Sequence, residues 1–194
     1  MKTKLPLLVA FMLPLLGFSQ TTIVDEDFSS GSLPSGWTNV ANVAGNKLWT
    51  FNDPGNRNIS TNNFSGNYAI FDSDEHGTAG THNATLTTPS FNAGLYATIT
   101  LEFDHNYNEY SGDEICKIEV YNGSSWVTVE TYQDGDENDF VSIDITSAAN
   151  GASNAAIRFN YEGDYDWWWA LDNVKVTGES LATINTQGPG GVGS

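Results

Sequence analysis

The chain is short of positive charge. Seven lysines and arginines stand against twenty-four aspartates and glutamates in 194 residues, a formal net charge of −17. So acidic a surface argues against nucleic acid and anionic membranes as partners, because phosphate binding needs a cationic footprint. Cysteine is almost missing: Cys116 is the only one, so no intrachain disulfide can form. It lies in Ile115-Cys116-Lys117-Ile118-Glu119-Val120 on the parity of Ile118 and Val120, the place of a small buried hydrophobe rather than a nucleophile. Amphipathic helix periodicity is absent. So are a metalloprotease helix motif, a nucleophile elbow and a calcium loop of EF-hand spacing. With only His76, His82 and His105 as imidazoles, the chain reads as no enzyme. His76 and His82 are expected in a solvated turn, and His105 in a hydrogen bond with Asp104.

The one long apolar stretch is at the start. Lys2 and Lys4 precede Leu5 to Phe18, which is too short to span a bilayer, and small residues follow near a plausible cleavage point. Residues 1–20 therefore read as a signal peptide, and the protein as secreted or displayed at the cell surface, without membrane insertion. No cysteine lies at the junction, which argues against a lipid anchor. Without the leader the chain carries five cations against twenty-four acids, a net −19. A secreted domain without disulfides must be held by its core, by metal, or by both.

What is present is period-two patterning. Ile99, Leu101 and Phe103 alternate with Thr98, Thr100, Glu102 and Asp104. Val127/Val129, Val141/Ile143/Ile145 and Ile157/Phe159/Tyr161 alternate with polar residues in the same way. Each run has one apolar and one polar face, as in antiparallel sheets packed face to face. Asn122-Gly123 between two such runs predicts a hairpin. Turn residues elsewhere bound short strands throughout. The fold class expected is all-β, a β-sandwich or jelly roll of two antiparallel sheets over residues 21–178. Beyond Gly178 the strand pattern ends, and residues 179–194, with Gly188-Pro189-Gly190-Gly191, read as a flexible linker to a covalently joined C-terminal module absent from this chain.

Four groups of residues follow one another along the chain in a set order. The first is Glu26-Asp27-Phe28 followed by Leu33-Pro34-Ser35-Gly36-Trp37. Asn67-Tyr68-Ala69-Ile70-Phe71-Asp72-Ser73-Asp74 comes next, then Thr87-Thr88-Pro89. The third pairs Leu101-Glu102-Phe103-Asp104-His105 with Ile157-Arg158-Phe159-Asn160-Tyr161, and the last is Trp168-Trp169-Ala170-Leu171-Asp172-Asn173-Val174. In this order and spacing they resemble the bacterial choice-of-anchor J or cleaved-adhesin domain, a relative of the MAM domain, over about Val24 to Thr177. The resemblance implies a jelly roll similar to galactose-binding-like folds, used as an accessory module of secreted proteins.

The acids pose a chemical question. They cluster at Asp25-Glu26-Asp27, Asp72-Ser73-Asp74-Glu75, Asp134-Gly135-Asp136-Glu137 and Asp164-Tyr165-Asp166. Hard oxygen ligands in loops are what Ca²⁺ selects. Asp172, between an apolar stretch and Val174, is costly to bury alone. A structural Ca²⁺ joining Glu26 or Asp27 to Asp172 removes that cost, and related domains resemble this arrangement with an added loop acid, here Asp53 or Asp74. The alternative is that Asp172 caps a turn through backbone N–H groups. The Asp72–Glu75 run taken alone reads as a solvated turn, and Asp134–Asp139 as a polar hairpin tip.

Aromatics mark a second candidate. If Trp167-Trp168-Trp169 is strand, Trp167 and Trp169 share one face and Trp168 takes the other. Trp168, Trp169, Trp37 and Trp49 read as packing residues. Trp167, with Tyr165 or Tyr110, reads as a surface for ligand binding, the partner being a glycan or an extracellular protein. The function expected is a non-catalytic, calcium-stabilised module for adhesion or recognition within a larger protein. The alternatives are a structural spacer and, more distantly, a fragment of a carbohydrate-active enzyme.

Overall fold

The computed structural model describes residues 20–180 apart from 46, 62, 79 and 111. The expected leader and linker lie outside the described residues except at their inner ends. Gln20 opens the first strand, and Glu179 and Ser180 close the last.

Among the described residues, ten strands form two five-stranded antiparallel sheets, a jelly-roll β-sandwich. In chain order they are β1 (Gln20–Glu26), β2 (Thr38–Ala41), β3 (Ala69–Asp72), β4 (His82–Thr87), β5 (Tyr96–Asn108), β6 (Ile115–Tyr121), β7 (Trp126–Tyr132), β8 (Phe140–Asp144), β9 (Ala156–Gly163) and β10 (Trp168–Ser180). One sheet runs β1-β10-β5-β8, with β3 also paired to β10, and the other runs β2-β4-β9-β6-β7. Single helical turns occur at α1 (Ser73–His76) and α2 (Thr146–Ala149), each too short to carry the periodicity of an amphipathic helix.

The alternating residues meet between the sheets. Ile99, Leu101 and Phe103 from one sheet face a core shared with Ile118, Val120, Ile157, Phe159 and Tyr161 from the other, all essentially inaccessible to water. Cys116 is buried among them, as its parity indicated. Burying each such side chain stabilises the fold by about 1.5–3 kcal/mol. The hairpin at Asn122 forms as expected, with Asn122 N–H donating to the Ser125 carbonyl at 3.0 Å and Gly123 at φ 89°.

Strand β10 organises the candidate sites. Along one edge it pairs first with β3 (Trp168–Leu171 against Asp72–Ala69) and then with β1 (Val174–Glu179 against Glu26–Gln20). The partner changes at Asp172 and Asn173, where the register with β5 also shifts and Asn173 takes a left-handed φ of 52°. The strand continues past the compositional break at Gly178 because its backbone still pairs on both sides, Gly178 with Thr21 and with Ile99. Pairing is a backbone property, so side-chain composition did not show it.

Candidate functional site

The Trp168 end of β10 pairs with the ends of β3 and β5 at Asp72 and Asn108, so the loops after those strands gather at one end of the sandwich. There a cleft of about 230 Å³ is lined by Arg57, Asp74, Tyr110, Tyr165, Asp166 and Trp167. The three aromatics picked from the sequence are thus brought together, though they come from two separate loops. Tyr110 is 66% exposed, and Tyr165 and Trp167 are each 41% exposed.

The rings form a column. Tyr110 and Trp167 are nearly parallel at 17°, with centroids 6.4 Å apart, and Trp167 stacks on Trp168 at 5.2 Å. The guanidinium of Arg57 caps the column 4.7 Å above Trp168, whose indole N–H donates to Asn106 Oδ1 at 2.7 Å. Trp167 lies before β10 rather than in it, so strand alternation does not govern its direction. Trp169 alone of the three is in the core, against Trp49, Tyr132 and Phe159.

Arg57 holds this end in place. Its Nε and Nη2 donate to Asp72 Oδ2 and Oδ1 at 2.6 and 2.7 Å, and Nη2 also reaches Asp74 Oδ2 at 2.7 Å. Asp72 raises the Arg57 pKa further above its ordinary value. The same carboxylate accepts from Glu75 N–H and so caps α1. The run Asp72–Glu75 is therefore not simply a solvated turn, because Asp72 is buried and ion-paired. Gly55 makes room: a Cβ there would lie within 2.1 Å of Asp72 Oδ2. Sequence reasoning passed over Arg57. Its only signal was scarcity, as one of two arginines, in a loop between turn residues.

The five acids proposed as metal ligands fall in two places. Asp74 is in the Arg57 ion pair, and Asp53 closes its own loop by accepting from Arg57 N–H and Asn58 N–H at 2.9 Å each. Glu26, Asp27 and Asp172 lie where β1 meets β10, since Glu26 pairs with Val174. The carboxylates that act on Asp172 are Asp104, directly opposite it on β5, and Asp27. Asp172 is only 1% exposed, and burial pushes its pKa up to about 6. It accepts backbone N–H bonds from Asn173 at 2.8 Å and Ser65 at 3.2 Å, the turn-capping role weighed against metal. Asp104 accepts from the side-chain amides of Asn63 and Asn173, both at 3.0 Å. Glu26 accepts from Phe28 N–H and Asp27 from Ser29 N–H. Among the described residues, no three or more His, Cys, Asp or Glu side chains converge as a formed metal centre.

The histidines differ from expectation. His82 is fully buried, with Nδ1 2.6 Å from Ser73 Oγ and Nε2 against the ammonium of Lys47. His105 is buried between Phe103 and Tyr132 with neither ring nitrogen hydrogen-bonded, and burial lowers its pKa to about 4. Asp104 spends its oxygens on asparagine amides instead.

No family model and no curated protein matches the sequence. Solved structures do match. The chain is similar to the K3 cleaved adhesin domain of Lys-gingipain from Porphyromonas gingivalis, at 16% identity over 82% of this chain and 99% of that one, with a TM-score of 0.62. The K1 cleaved adhesin domain of the same protein is similar at 18% identity over 80% and 97%, with a TM-score of 0.58. TmCBM61 in complex with β-1,4-galactotriose is similar at 13% identity over 78% and 93%, with a TM-score of 0.54. At these identities the likeness is one of fold. Cleaved adhesin domains, the resemblance carried by the sequence motifs, are thus among its structural neighbours. Among the described residues no helix is long and apolar enough to cross a membrane.

Proposed function

We propose that this chain is a non-catalytic recognition module whose ligand is a glycan seated in the cleft at the Trp168 end of β10. The observation that carries this reading is the exposed Tyr110–Trp167 pair, standing beside the fixed charges of Arg57 and Asp74. Sugar rings offer apolar C–H faces and hydroxyl edges. Large exposed aromatic faces meet the first, and a carboxylate with a guanidinium meets the second. The fold adds support, because the same sandwich carries β-1,4-galactotriose in TmCBM61. The module acts outside the cell or on its surface, joined to a neighbouring domain, and belongs with the wider choice-of-anchor J and MAM-like group. An extracellular protein as ligand, or a spacer role without any ligand, are the competing readings.

A panel of polysaccharides including β-1,4-galactan and mannan tests it. Retention of at least one glycan, weakened about tenfold or more by Trp167→Ala and by Tyr110→Ala at unchanged melting temperature, is the expected result. Retention of none by the wild-type protein would favour the spacer.

A second reading concerns calcium, and the facing of Asp172 and Asp104 favours it. Two buried carboxylates opposite one another repel, and a Ca²⁺ bridging Asp172 and Asp104, with Asp27 drawn in from the end of β1, offsets that repulsion. Backbone carbonyls and water complete its coordination. The ion's role is structural, tying β1 to β10 and β5.

A further inference from the structure

Behind the cleft lies a second pair of acids. Glu114, just before β6, and Asp166, in the loop between β9 and β10, are both fully buried. The Glu114 carboxyl meets the Asp166 carboxyl, the Tyr107 hydroxyl and the backbone N–H groups of Tyr110 and of Glu114 itself, yet no bond of good hydrogen-bond geometry reaches either of its oxygens. Two carboxyl groups can bond to each other only through a proton, since an ionised carboxylate has no donor. Gly163 lets them approach: a Cβ there would lie 2.8 Å from Asp166 Oδ2 and 3.0 Å from Glu114 Cβ.

We propose that Glu114 and Asp166 share one proton, and that this proton positions the aromatic wall of the cleft. Its effect on binding rests on the glycan reading of that cleft. Asp166 is flanked in sequence by Tyr165 and Trp167 and is itself a lining residue. It is held by Ser73 Oγ, which accepts its N–H at 2.9 Å, and its Oδ2 accepts Asp164 N–H at 3.1 Å. Tyr165 takes a left-handed φ of 55° in this short loop. Removing the proton leaves two carboxylates in contact, so Asp166 must move, and its two neighbours move with it.

The surroundings favour one shared proton over two charges. Tyr107 on β5, Cys116 on β6 and Tyr161 on β9 face the pair, and burial pushes each of their pKa values up, keeping them neutral. His82 on β4 bonds the Ser73 hydroxyl that holds Asp166 N–H, and burial lowers its pKa. Lys47, whose pKa burial also lowers, is engaged with His82 and the Gly77 and Gly80 carbonyls. Burial first, and Asp166 with it, pushes the Glu114 pKa up to about 7. The cleft is therefore set below about pH 7 and relaxes above it.

Fluorotryptophan NMR on the full chain, with Trp167 assigned through Trp167→Phe, reads the wall without any ligand. The Trp167 signal is expected to shift with a midpoint near pH 7, and a glutamic carboxyl is expected to titrate there by infrared spectroscopy. Both changes vanish in Glu114→Gln, whose amide supplies the missing donor. Asp166→Asn serves as the second variant should the first not fold. On any glycan the panel retains, affinity falls about fivefold between about pH 5.5 and about pH 8.5 in wild type and stays level in Glu114→Gln. No carboxyl titrating near 7, or a Trp167 signal that stays still, overturns the proposal. So does a calcium-induced rise in melting temperature that Glu114→Gln abolishes, because the pair would then hold a metal. Absence of any glycan ligand defeats the binding reading and leaves the shared proton standing.

Discussion

Arg57 grips Asp72 through two hydrogen bonds of 2.6 and 2.7 Å while its guanidinium face covers Trp168 at 4.7 Å. One side chain thereby neutralises a buried carboxylate, ties the loop before β3 to the cap of α1, and backs the aromatic column of the cleft. A planar, forked cation can meet all three demands at once, whereas an ammonium cannot.

Arg57→Lys is accordingly expected to cost about 2 kcal/mol, through loss of one charge-assisted bond and of the stack on Trp168. Arg57→Ala should cost more, about 3–5 kcal/mol, because Asp72 is left buried and uncompensated. Urea denaturation measures both. Equal costs for the two variants would show that the fork geometry is immaterial.

Calcium binding at Asp172 has a thermal signature. Metal that binds only the folded state raises its melting temperature, so EGTA is expected to lower the midpoint by several degrees. Asp172→Asn should erase the difference between calcium and EGTA, and Asp104→Asn should weaken it. Asp136→Asn, in the β7–β8 connection where its carboxylate accepts Glu109 N–H, should leave it intact. Superimposable calorimetric traces for the wild-type protein with and without EGTA count against the site.

His105 contributes a pH dependence of known sign. Its folded pKa of about 4 lies below the ordinary 6.5, so the unfolded chain takes up the proton first. Stability from the neutral ring is complete above 6.5 and declines as pH falls from there towards 4, by a total on the order of 3 kcal/mol. His105→Phe removes that decline and two unpaired ring nitrogens, in a site already walled by Phe103 and Tyr132. The variant is expected to melt higher than wild type, with the gap widening below pH 6.5. A gap that narrows on acidification would mean the ring is charged in the fold.

Much of the sandwich could be read from alternation alone. Ile99, Leu101 and Phe103, or Ile157, Phe159 and Tyr161, report their own burial because strand periodicity is local. Strand β4 was harder: His82, Ala84, Thr85 and Leu86 are all buried, so no clean two-sided pattern marks it. The aromatic members of the cleft were visible as residues too polar in context to be core. Arg57 and Asp166 were not, because their roles depend on loops that meet only when β3 pairs with β10 and the two sheets pack together.

Composition and periodicity by themselves established an acidic, disulfide-free, all-β chain with one apolar face per strand, since those properties need no knowledge of who pairs with whom. Register and partner change along β10 decided the rest. They set Asp172 against Asp104, a residue far away in sequence, while the pairing of β6 with β9 brought Glu114 beside Asp166. A carboxylate's chemistry depends on the few ångströms around it, and that neighbourhood is assembled from distant segments only once the sheets have closed.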